Sequence, residues 1–170
     1  MYAKVALRDL GLLALAGLFW WGDASLHSAN VTGAAATAVG LVAGILTALC
    51  AYLAHEWGHL TAARLASAVV HPPERVATIF LFNFDSDRND RRGFLWMSCG
   101  GFALSAAGLA LLLAVLPLEA LSGRMALGLA ALGVLATAVL ELPPFFRVLR
   151  GGEIPRGLGY RTSEPGGVAV

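Results

Sequence analysis

From Val31 to Ala54 the chain carries no charged residue, and this stretch limits its folding options more than any other feature. A run of this length has no polar face to show to water, so it is either buried on all sides or crosses a bilayer. Composition decides between the two. Of 170 residues, 58% are hydrophobic and 14% charged, against roughly 25% charged in soluble domains. A chain this short cannot hide so much apolar surface within itself, which points to one membrane domain. The net charge of +1, without an arginine-rich or RNA-binding signature, gives no reason to invoke nucleic acid.

A spanning helix needs about 20 mostly apolar residues. Four segments are predicted to be membrane helices, at about residues 5–22, 31–67, 94–116 and 124–147. The first is short and has Arg8 and Asp9 near its start. A cleavable signal peptide is its competing reading, but Trp20 and Trp21 fit an aromatic belt at the outer end of a retained helix. Pro143 and Pro144 are expected to disrupt the last turns of the fourth helix. The expected fold is therefore an all-α polytopic membrane protein, a single domain over residues 1–153, in contact with the lipid bilayer. Residues 154–170, with Pro155, Pro165 and several glycines, read as a flexible cytoplasmic tail.

Loop charges orient the helices. Lys4 and Arg8 precede the first, whereas the loop after it carries only Asp23 and His27. Arg64, Arg75, Arg88, Arg91 and Arg92 lie between the second and third, and Arg147, Arg150, Arg156 and Arg161 follow the fourth. The positive-inside rule then sets both termini and the central loop in the cytoplasm. A prokaryotic inner (plasma) membrane suits the compact architecture. Within the central loop, Val76 to Phe84 is rich in β-branched and aromatic residues and is followed by the turn-like Asp85-Ser-Asp-Arg-Asn-Asp90, which predicts a short strand or hairpin. A surface-lying amphipathic segment is the alternative. Cys50 and Cys99 sit in apolar runs without ligand spacing and are expected to be small buried hydrophobes.

The charge-free run ends in His55-Glu56-Trp57-Gly58-His59. Histidines four apart on a helix project from one face, about a turn apart. They can offer two imidazole nitrogens to one Zn²⁺, with Glu56 between them as general base on a water at the metal. Ala48, Ala51, Ala62, Ala63 and Ala66 keep the flanking surface small, which allows another helix to approach closely. The metzincin extension is absent, because Ala62 and Leu65 occupy its glycine and histidine positions. A membrane desaturase needs about eight histidines; this chain has His27, His55, His59 and His71.

This arrangement resembles the site-2 protease family of intramembrane zinc metalloproteases, M50-like peptidases. The likeness rests on the HExGH form of His55–His59, the strand-forming loop after it, Ser98-Cys-Gly-Gly-Phe-Ala-Leu-Ser105, and Glu141-Leu-Pro-Pro144 followed by Gly151-Gly152. It covers residues from about Thr37 to Glu153. The resemblance implies a zinc metalloendopeptidase that cleaves a membrane protein substrate, with His55 and His59 as ligands and Glu56 as catalytic base. The family's third ligand is an aspartate in an Asn-Pro-x-Pro-x-x-Asp-Gly motif, and no aspartate follows Leu142 here. Glu141 is the favoured substitute, being the only ionisable residue within the fourth apolar segment; about 16 residues from its start give some 24 Å of rise toward the histidines' side. Glu153 is the runner-up, and Glu74, Asp85 and Asp87 are weaker rivals. The divergent motif also leaves open a non-proteolytic relative that uses zinc structurally or for binding and regulation.

Overall fold

The computed structural model describes residues 1–157 and 159–161. In chain order the elements are α1 (Tyr2–Ser28), α2 (Ala34–Leu65), β1 (Val70–His71), β2 (Asn83–Asp85), α3 (Arg91–Val115), α4 (Leu121–Leu149) and β3 (Tyr160–Arg161). All four helices are long and apolar enough to cross a membrane, so this is a multi-pass membrane protein. Each begins a few residues from its expected start. The largest gain is in α1, which runs to Ser28. α3 starts early because Asp90 caps it, accepting the Gly93 N–H at 2.8 Å.

α2 is the central helix and packs against each of the other three. Its contact with α3 is close because two glycines meet: a Cβ on Gly58 would lie 2.5 Å from the Gly100 carbonyl oxygen, and one on Gly100 would lie 2.4 Å from the Ala62 Cβ. Ala62 and Ala63 are buried beside that crossing, as the small-residue pattern anticipates. The outer faces of the helices stay exposed and apolar, with Leu10, Leu13, Leu18, Ile45, Leu111, Leu135 and Leu140 among them. In a bilayer those faces meet acyl chains.

The buried core lies at one end of the bundle. Leu60, Ala63, Leu81, Phe82, Phe84, Phe94, Met97 and Val148 pack there with Val5 of α1. Over them lies a three-stranded sheet in the order β1-β2-β3. β1 and β2 are antiparallel, with Val70 opposite Phe84 and His71 opposite Asn83. β2 and β3 are parallel, with Phe84 opposite Tyr160 and Asp85 opposite Arg161. Asn89 ties the sheet to the start of α3: its side chain accepts the Val69 N–H at 2.7 Å and donates to the Val69 and Asp85 carbonyls.

Four expectations need correction. Only Asn83 and Phe84 of the Val76–Phe84 segment join the ladder, in β2; residues 76–82 are irregular, and backbone groups of Val76, Thr78, Ile79 and Leu81 bond to helix side chains instead. The segment expected as a tail is anchored in its described part: β3 pairs with β2, Ile154 packs on the core, and Ser86 Oγ donates to the Pro155 carbonyl at 2.7 Å. Residues 158 and 162–170 of that segment lie outside the described residues. Pro143 and Pro144 do not end α4, which continues to Leu149. They deprive the carbonyls of Val139 and Leu140 of their helical N–H partners, a loss that membrane helices tolerate. Finally, Cys99 is exposed and Cys50 half-buried, because lipid rather than protein covers much of the apolar surface.

Candidate metal centre

The apolar part of α2, residues 34–54, is about 31 Å long at 1.5 Å per residue, close to the roughly 30 Å thickness of a hydrocarbon core. His55 follows at once, at the end of that stretch. His55 is 2% exposed, His59 7% and Glu56 6%.

The helix-four spacing turns both rings toward α3 and α4. His59 Nδ1 donates to the Met97 carbonyl at 2.9 Å. His55 Nδ1 lies 3.1 Å from the Gly101 carbonyl and 2.8 Å from Ser105 Oγ. A carbonyl only accepts, so in each ring the proton resides on Nδ1 and the lone pair on Nε2. The two Nε2 atoms are 2.9 Å apart. Glu141 reaches them from α4, with Oε1 3.1 Å from His55 Nε2 and Oε2 3.3 Å from His59 Nε2. Two imidazole lone pairs and a carboxylate thus face one another with no donor among them. Such a cluster is relieved by a positive charge at its centre, either a metal ion or a proton shared between an imidazole and the carboxylate. Buried Glu141 Oε2 makes no directed hydrogen bond within the protein, as expected of an atom aimed at an ion. One ligand atom from each residue lies within 4.8 Å of the others, and among the described residues this is the one group that can hold a metal ion.

Glycines make room for the rings. A Cβ on Gly101 would fall 2.2 Å from His59 Cε1, so the His59 ring occupies the space that any side chain at position 101 would need. Glu56, buried between the two histidines in the chain, accepts the Leu81 N–H of the 76–82 segment at 3.4 Å. Tyr52, one turn before, donates to the Ile79 carbonyl at 2.9 Å. Tyr160 of β3 feels the centre as well: burial first, then the nearby carboxylates of Glu141 and Glu56, push its pKa up to about 12.

The structure brings together His55, His59 and Glu141, as expected, and not the rivals. Glu153 and Glu74 are exposed, Asp85 pairs with His71 at 2.8 Å, and Asp87 lies 3.3 Å from Arg156. The sequence reading missed Ser105 as a partner of His55, though it had marked the Gly-Gly-to-Ser105 stretch; the carbonyls of Met97 and Gly101 have no signature in sequence at all. No known protein family, curated protein or solved structure matches this chain.

Proposed function

We propose that this chain is an intramembrane zinc metalloprotease, resembling site-2 proteases, that hydrolyses peptide bonds in transmembrane or membrane-proximal segments of a membrane protein substrate. One observation carries the reading: three acceptors converge at the edge of an apolar helix, with a further buried carboxylate next to one of them in the chain. Two imidazoles and a carboxylate form the protein ligand set of hydrolytic zinc sites, which keep one position open. Tetrahedral ligands about 2.0–2.1 Å from zinc lie about 3.3–3.4 Å apart; the separations here are 2.9, 3.1 and 3.3 Å.

Bound there, zinc supplies a Lewis acid that polarises the scissile carbonyl and acidifies water. The remaining work falls to the chain. His55 and His59 would hold the ion through Nε2, their rings fixed by the Nδ1–H bonds to α3. Glu141 completes the ligand set from α4. Glu56 takes the proton of the attacking water and passes it to the leaving amine. A substrate helix must unwind locally before its carbonyl is exposed, since helical amides are bonded internally. Arginine-rich loops support an orientation with both termini in the cytoplasm of a prokaryotic inner membrane.

The experiment is zinc analysis of the purified protein together with cleavage of a reconstituted model transmembrane substrate. Wild type is expected to carry one zinc per chain and cleave. Glu56→Ala should keep the zinc and lose cleavage, by about 10²- to 10⁴-fold for a general base. A wild-type protein without zinc, or full activity in Glu56→Ala, overturns the reading. The second reading, a non-proteolytic zinc centre used for binding or regulation, draws on the burial of Glu56 and its bond to Leu81; a zinc-loaded wild type that cleaves nothing would favour it.

A further inference from the structure

We propose that Arg8 of α1 is a positioning residue for Glu56, acting through the Val76–Phe82 segment that lies over that carboxylate, and that Asp9 orients Arg8. The inference rests on the proposed role of Glu56 and extends it to a helix that supplies no side chain to the metal group.

Two opposite charges, Arg8 and Asp9, directly before the uncharged run from Leu10 to Gly22 call for a reason. The contacts supply one. Arg8 Nη1 donates to the carbonyl oxygens of Val76, at 2.5 Å, and Thr78, at 3.0 Å. These carbonyls belong to the irregular stretch between β1 and β2, which has no ladder of its own. Further along, the same stretch is held by Tyr52 at the Ile79 carbonyl and ends on Glu56 through the Leu81 N–H. Arg8 is aimed by its neighbour: Nε donates to Asp9 Oδ1 at 2.7 Å. The other oxygen of Asp9 accepts the Trp57 indole N–H at 2.9 Å.

These bonds close a circuit. It leaves α2 at Trp57, crosses to Asp9 and Arg8 on α1, passes into the covering segment, and returns to α2 at Glu56. The two ends are adjacent residues, so the circuit fixes the covering segment relative to the one carboxylate it touches. A planar guanidinium suits the task, since it offers several donors in a fixed fork, engaging Asp9 and two carbonyls at once. An ammonium is a single point charge and cannot hold the same span. The side chain is largely buried, at 21% exposure, and Asp9 more so at 10%, where charge-assisted bonds are least weakened by water.

The test uses the full chain in lipid nanodiscs, with Arg8→Gln, Arg8→Lys and wild type. Amide hydrogen exchange is read first. In Arg8→Gln, residues 76–82 should exchange at least about tenfold faster, because two charge-assisted bonds are lost. The strands at 70–71 and 83–85 and the α2 amides should keep their protection. Turnover of a model transmembrane peptide is read second: kcat is expected to fall about 10- to 100-fold, as for a displaced catalytic group, with KM and bound zinc unchanged. Arg8→Lys should recover part of both effects. Unaltered exchange at 76–82, or loosening spread evenly through β1, β2 and α2, overturns the proposal. So does a KM change without a kcat change. If wild type carries no cleaving activity, the protease reading fails, and the exchange pattern alone then decides whether Arg8 holds the segment.

Discussion

At the scale of single residues, the centre is defined by where protons cannot be. Carbonyls of Met97 and Gly101 hold the Nδ1 protons, so both Nε2 atoms present lone pairs. Glu141 is the proposed third ligand and the anionic member of the group that could hold a metal ion. Glu141→Ala is expected to lower zinc content well below one per chain, measured on protein dialysed against a weak chelator; unchanged occupancy and turnover would reject it as ligand. His55, Glu56 and His59 were legible in the sequence because helical spacing alone sets their faces. Glu141 was legible for a different reason, since a lone carboxylate in an apolar helix needs a partner. The two carbonyls were not, because backbone acceptors carry no residue-type signal, and Ser105 was not, because its approach to His55 depends on how α3 crosses α2. Nor was the Arg8–Asp9–Trp57 link, which depends on how α1 lies against α2.

Elements place these residues through two glycines with distinct tasks. Gly58 lets α2 meet α3 backbone to backbone, while Gly101 leaves the space that the His59 ring fills. Gly133 on α4 has nothing within 4 Å of an added Cβ. Gly101→Ala should therefore displace His59 and cost most of the bound zinc. Gly133→Ala should leave zinc unchanged and add about 0.5–1 kcal/mol of helix stability. Thermal unfolding and metal analysis of the two variants check the contrast. The sheet was harder to read than the helices. Val76–Phe84 has strand composition, but Val76, Thr78, Ile79 and Leu81 bond through their backbone to side chains of α1 and α2 rather than to another strand, and tertiary context prevailed. The sheet also carries a pH response. Burial alone would raise the Asp85 pKa, but hydrogen bonds from His71 and from the Arg88 and Asp87 N–H groups outweigh it and hold it below 3.8. A lowered folded-state pKa gives stability that is complete above 3.8 and fades as pH falls through the folded value. Acid unfolding followed at β1–β2 should shift to higher pH in His71→Ala, and an unmoved midpoint would reject that contribution.

For the whole molecule, lipid replaces the usual core along the helices, and protein packs against protein chiefly where the sheet covers the bundle end. Phe84 and Phe94 are the largest side chains fully buried there, and Phe84 makes edge-on contact with Phe94 and Tyr160 at 6.1 and 6.3 Å between ring centroids. Phe84→Ala should cost about 3–5 kcal/mol and loosen the sheet before the helices, an order that hydrogen exchange resolves. Composition could show that the chain lives in a membrane, but not that the buried core of the described residues sits beside the candidate metal centre. β3 bears on biosynthesis. It is translated after α4, yet it lies parallel to β2, whose residues are translated before α3. Until that late strand pairs, the sheet beside the histidine-bearing helix lacks its third strand.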